Sequence, residues 1–106
     1  MTQQNFEEIV NLQLSICKEL LVDKGKEYSL TGDRLDAFKK AASLQGETMK
    51  QALCGMLAKH VVSIYDMCMS GNRFQAEKWT EKITDAINYL LLLMAAIREE
   101  DYGESD

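Results

Sequence analysis

Apolar positions in this chain recur at three- and four-residue steps, the spacing that gathers them on one side of an α-helix. In the first segment Phe6, Ile9, Val10, Gln13, Ile16, Cys17, Leu20 and Leu21 keep that rhythm and predict an amphipathic helix from Phe6 to about Lys24. Gly25 is placed to end it. A shorter helix follows, with Asp33 as its cap, Leu35, Phe38, Ala41, Ala42 and Leu44 on one side, and Gly46 as its stop. Thr48 and Gln51 have the spacing of a capping box and open a third helix that runs to about Met69. Its apolar face is Leu53, Met56, Leu57, Val61, Ile64, Met67 and Cys68. After the break at Ser70-Gly71-Asn72, with Asn72 and Gln75 again in a cap relation, a fourth helix is expected from about Phe74 to Arg98. Trp79, Ile83, Ala86, Ile87, Leu90, Met94 and Ile97 form its main stripe.

Composition supports that reading and sharpens it. With no proline and 6 glycines in 106 residues, the chain lacks the punctuation an all-β fold needs. The expectation is all-α: a compact bundle of about four helices over residues 1–98, with an acidic, disordered tail over 99–106. Apolar residues at 46% suffice for a core, but a domain this short buries a limited fraction of its surface, so a dimer or higher oligomer is expected.

A net charge of −5 argues against wrapping nucleic acid and leaves room for a small anion held by a local cationic cluster. The polar N-terminus does not read as a signal peptide. The apolar run from Leu90 to Ile97 is far short of the roughly 20 residues that cross a bilayer, so no membrane partner is expected. Cys17, Cys54 and Cys68 are odd in number and lack metal-type spacing, which fits small buried thiols in a reducing, cytoplasmic compartment.

Three groups of polar residues carry candidate chemistry. On a helical wheel, Glu77, Glu81, Asp85 and Asn88 fall within an arc of roughly 80°. Like charges one turn apart repel, and a divalent cation would turn that repulsion into ligation. A solvated face is the competing reading, because the arc lies opposite the Trp79–Ile83–Leu90 stripe. Against it, Leu90 to Met94 is apolar all round, as in helices covered on every side. On the third helix Lys59, Ser63 and Asp66 share a polar strip, in which Asp66 could ligate metal and Lys59 could meet a phosphate. Between the first two helices, Lys24, Lys26, Glu27, Tyr28, Asp33 and Arg34 place cations, carboxylates and an aromatic within one connection. Such a segment could hold phosphate oxygens and stack on a base. His60 borders the apolar face and reads more readily as a core residue than a catalyst; no Ser–His or Cys–His pairing and no glycine-rich phosphate loop is visible.

The series Lys26-Glu27-Tyr28, Asp33-Arg34-Leu35, Lys59-His60 through Asp66-Met67, and Trp79-Thr80-Glu81 through Asp85 with Asn88-Tyr89-Leu90 resembles small phage-encoded proteins. Those in turn resemble the all-α (MazG-like) nucleotide pyrophosphohydrolases. The resemblance implies an oligomeric bundle in the cytoplasm of an infected bacterial host, binding a nucleotide through magnesium. In catalytic members magnesium-activated water cleaves between the α- and β-phosphates, using Glu-x-x-Glu on one helix and Glu-x-x-Asp on the next. Here Ser63-x-x-Asp66 replaces the first pair, and Lys82 stands three residues before Asp85, with Glu81 one further back.

Carried onto this chain, the family pattern makes Glu81 and Asp85 the catalytic carboxylates and Asp66, Glu81 and Asp85 the metal ligands. Lys24, Lys26, Arg34 and Lys59 would face phosphates, Tyr28, Trp79 or Tyr89 would stack on the base, and Asn88 would orient the ligand. Incomplete acidic motifs leave two further readings open. One is a non-catalytic sponge for nucleotides or nucleotide immune signals; the other is an inhibitor that binds a host defence protein.

Overall fold

The structure, a computed structural model, describes residues 1–28 and 31–104, with the side chains of Glu27 and Tyr28 outside that description. It is all-helical, with four α-helices and no strand among the described residues. They are α1 (Gln3–Lys18), α2 (Asp36–Gln45), α3 (Met49–Met69) and α4 (Ala76–Tyr102).

Helix α1 starts three residues earlier than the apolar rhythm suggests because the Thr2 hydroxyl accepts a hydrogen bond from the Asn5 backbone N–H at 3.1 Å. It changes character before Lys24. Glu19–Asp23 forms a π-helical turn, closed by the Lys24 N–H donating to the Glu19 carbonyl at 2.9 Å. A 3₁₀ turn at Gly25–Tyr28 follows. Short π segments inside helices are frequent at functional sites, and this one carries Leu20 and Leu21 to the side of α4.

The capping box of α3 forms as its spacing predicts: Gln51 N–H donates to Thr48 Oγ1, and Thr48 N–H donates to Gln51 Oε1 at 2.9 Å. Asp33 acts one step outside the second helix, where Leu35 takes the cap position. Its carboxylate accepts from Leu35 N–H at 3.0 Å and pairs with Lys39 at 2.6 Å. Gly46 closes α2 in the left-handed conformation (φ 66°), which a residue with a Cβ rarely adopts. Helix α4 begins at Ala76 with Gln75 at its cap, and Asn72 instead donates its backbone N–H to Ser70 Oγ.

The first half of the segment expected to be a disordered tail is helical, and residues 105–106 lie outside the described residues. Residues 99–102 extend α4, and their carboxylates are engaged. Glu100 accepts from the backbone N–H groups of Met49 and Lys50 (2.8 and 3.0 Å), covering the N-terminus of α3. Lys50 pairs with Asp101, Lys39 with Glu99, and Arg98 with Glu104. Interactions across about 50 residues of sequence therefore order what composition alone marks as a solvated end.

The core is small: Leu35, Met49, Leu53 and Ala96 are buried, with Phe38, Met56, Tyr89, Leu92 and Leu93 packed around them. Helix α3 lies between α2 and α4, and α1 packs chiefly on α4. Val61 and Cys68, expected on the core side of α3, are exposed; the core instead takes Met49, Ala52, Leu53 and Met67 from that helix. Among the described residues α3 is the one helix with the length and apolar composition that crossing a membrane needs. The largest departure concerns α4, whose predicted main stripe is not its buried face. Thr84, Asn88 and Ala96 are buried, whereas Ile83, Leu90 and Met94 are exposed.

Candidate functional site

The groove between α1 and α4 collects Glu77, Glu81, Asp85 and Asn88 of the acidic arc together with Lys26 and Arg34. Gln13 Nε2 donates to Thr84 Oγ1 at 2.7 Å and reaches Cys17 Sγ at 3.4 Å, fixing the two helices where the groove begins. Beyond that clamp, a cavity of about 360 Å³ is walled by Ile16 and Leu20 from the α1 side and by Glu77, Thr80, Glu81, Thr84 and Asp85 from α4. The acidic arc therefore lines one wall of the groove opposite Ile16 and Leu20, with Glu77 and Glu81 themselves exposed.

Leu20 and Asp85 also belong to the next cavity, of about 350 Å³, where Leu21, Arg34, Asn88, Tyr89 and Leu92 complete the wall. Here a cation, a carboxylate, an amide and a phenol ring stand around one volume. Arg34 is held from two sides. Its guanidinium Nη2 donates to the Leu21 carbonyl at 3.2 Å, anchoring it to the π turn. Gly25 lies against it so closely that a Cβ there would come within 2.7 Å of the guanidinium. Glycine at 25 thus makes room for Arg34; it does not end the helix as expected, since α1 ends at Lys18 and Gly25 opens the 3₁₀ turn after the π segment.

Asn88 is buried, and its side-chain oxygen has no hydrogen-bond partner. Such an oxygen costs on the order of 1–3 kcal/mol when left unpaired. Buried polar groups without partners are rare enough that each needs a physical reason. Tyr89 stacks on His60 with ring centroids 4.8 Å apart, so one face of its ring is already covered by α3. That contact gives His60 a packing role.

A third cavity, of about 350 Å³ and almost wholly apolar, continues past Leu21, Arg34 and Leu92 to Val22, Lys26, Leu91 and Ala95. The three volumes share walls in succession. Together they form one groove that is acidic at Glu77 and Glu81, mixed at Arg34 and Asn88, and apolar at Leu91.

Of the expected nucleotide-binding residues, Arg34, Asn88 and Tyr89 meet in one cavity and Lys26 lines its neighbour. Lys24 and Lys59 are exposed and line none of these three cavities. Trp79 packs edge-to-face on Phe74 at 5.7 Å, away from the groove. The Tyr28 side chain lies outside the described residues. Glu81 and Asp85 share the acidic cavity, but Asp66 is exposed on α3 and is not part of it. Among the described residues no three His, Cys, Asp or Glu side chains are grouped so as to hold a metal ion.

Sequence reasoning missed Thr84, Leu20 and Leu21. The i, i+4 series Thr80, Thr84, Asn88 was a legible signal for the first; the π turn that positions the two leucines has none in this sequence. No protein-family model, no curated protein and no solved structure matches the chain.

Proposed function

We propose that this protein binds a nucleotide in the α1–α4 groove and captures it intact, as a binding relative of the MazG-like proteins it resembles. The observation that carries this reading is the unpartnered, buried Asn88 oxygen in the same cavity as Arg34 and Asp85. A ligand donor, such as a base amine or imide N–H, would satisfy that oxygen and recover its desolvation cost. Arg34 supplies the planar, permanently charged fork suited to phosphate oxygens. Asp85 can accept from a sugar hydroxyl, while Leu20, Leu21 and Leu92 shield the base from water. A volume of about 350 Å³ lies at the small end of the range that ligand sites occupy.

Capture is favoured over hydrolysis because Arg34, Asp85, Asn88 and Tyr89 line one cavity, while among the described residues no three metal-type donors are grouped. The test is incubation of the purified protein with nucleoside triphosphates and cyclic nucleotides, with and without magnesium, followed by chromatography before and after heat denaturation. Capture predicts a nucleotide that disappears stoichiometrically and returns intact on denaturation. Turnover to a monophosphate and pyrophosphate would replace capture with catalysis. Nucleotides that all remain free and unchanged would remove the groove from nucleotide chemistry and leave the interaction-protein reading.

A further inference from the structure

The ionisable residues along the groove are sorted by sign. Glu77, Glu81 and Asp85 wall its acidic end, whereas Lys26 and Arg34 are the charged residues that wall its apolar end. In a chain of net charge −5, an unselected lining would be expected to carry carboxylates ahead of cations. Among the described residues no acidic side chain lines this second volume, and Leu21, Val22, Leu35, Leu91, Leu92 and Ala95 complete it.

The two cations meet the cavity through their carbon stems, since its surface is almost wholly apolar. Long basic side chains lie along apolar surface in this way and keep the charged end at its edge. Arg34 is fixed in place there. Its Nη2 donates to the Leu21 carbonyl at 3.2 Å, and Gly25 packs against the guanidinium. A guanidinium carries five N–H donors, and that bond uses one of them. Val22 and Leu91 are 47% and 48% exposed, so the apolar walls stand open to solvent. Water gains few hydrogen bonds against such walls, and an apolar body laid on them would be favoured by the surface it removes from water.

From this arrangement we infer that the end of the groove at Leu91 binds a free single-chain amphiphile: an aliphatic chain in the apolar cavity, with a terminal carboxylate held by Arg34 and Lys26. The planar guanidinium fork matches a carboxylate, and the lysine adds a point charge. A volume of about 350 Å³ lies at the small end of ligand sites and suits a chain of medium length. The inference does not rest on the nucleotide reading. Arg34 is common to both volumes, but Asp85 and Asn88, which carry that reading, line the other one.

The test is calorimetric titration of the full chain with octanoate, decanoate and decyltrimethylammonium. Decanoate should saturate at one molecule per chain and bind about tenfold more tightly than octanoate, as two buried methylenes require. Decyltrimethylammonium, with the same tail and the opposite head, should bind at least tenfold more weakly than decanoate. Arg34→Gln and Lys26→Gln should each narrow that preference. Ala95→Phe, at an exposed position on the cavity wall, should fill the volume and abolish decanoate binding while circular dichroism still reports helix. Leu90→Asp, exposed and outside the cavity lining, should leave decanoate binding unchanged. Equal binding of the two decyl probes overturns the inference, as does decanoate binding that survives Ala95→Phe. So does a wild type that ignores decanoate, including one that floats with phosphatidylglycerol vesicles instead, which would assign the cations to a membrane surface.

Discussion

Asn88 and Leu90, two residues apart on α4, stand in each other's expected environment: the amide is 6% exposed and the leucine 53% exposed. The helix thus lines a polar groove shared with α1 and leaves Ile83, Leu90 and Met94 exposed on another side.

Replacing Asn88 with leucine should raise stability and remove ligand binding together. The substitution removes a buried oxygen without a partner, worth on the order of 1–3 kcal/mol, at similar side-chain volume. Each kcal/mol shifts Tm by about 4–8 °C in a domain of this size. Thermal unfolding of Asn88→Leu beside a nucleotide titration checks both halves; a lower Tm would mean that the amide is satisfied and structural.

Gly25→Ala should act on the site more than on the fold. The added methyl meets the Arg34 guanidinium at 2.7 Å, and the end of that flexible side chain can move away. Loss of its bond to the Leu21 carbonyl costs about 1 kcal/mol, while the cavity loses its cation. Binding by Gly25→Ala should fall to the level of Arg34→Gln in the same titration, with Tm lowered only slightly.

Removing residues 99–106 should destabilise the protein, because Glu100 caps α3 from 50 positions away. Glu100→Ala alone is expected to cost about 1 kcal/mol, the usual worth of a lost helix cap. Urea unfolding of both variants measures this, and wild-type midpoints for both would return the segment to the status of a passive tail.

The Asp33 carboxyl is held below its ordinary 3.8, first by the hydrogen bond from Lys39 and then by the Leu35 backbone N–H. A depressed folded pKa contributes stability that is present above the unfolded value and lost as pH falls through the folded one. Wild type should therefore be more stable than Asp33→Asn at neutral pH, and the difference should begin to shrink as pH falls towards 3.8 and vanish only below the lowered folded pKa. Denaturant midpoints across the acid range would show it; a gap that persists in acid would assign the effect to packing.

Helix number and most boundaries were legible because they follow from local rules: the Thr48–Gln51 box and the Gly46 stop are set by neighbours in sequence. Orientation was not. Periodicity identifies two faces of α4 without saying which one a single chain buries, and here the apolar stripe is the outer one. The Glu77–Glu81–Asp85–Asn88 arc could be found by spacing, yet its position against Leu20 depends on the π turn at Glu19–Asp23. The Glu100 cap is a long-range contact that no local pattern encodes. Asp66 shares a residue type with Glu81 and Asp85 but lies outside the groove that holds them, a separation that spacing along α3 alone does not reveal.

The most direct test of the groove as a nucleotide site is calorimetric titration of wild type, Asn88→Leu and Arg34→Gln with the same panel of nucleotides. The account predicts saturable binding of at least one nucleotide to the wild type, lost or weakened at least tenfold, about 1.4 kcal/mol, in both variants while each remains folded. Equal affinity in all three proteins, or no binding by the wild type, would contradict it.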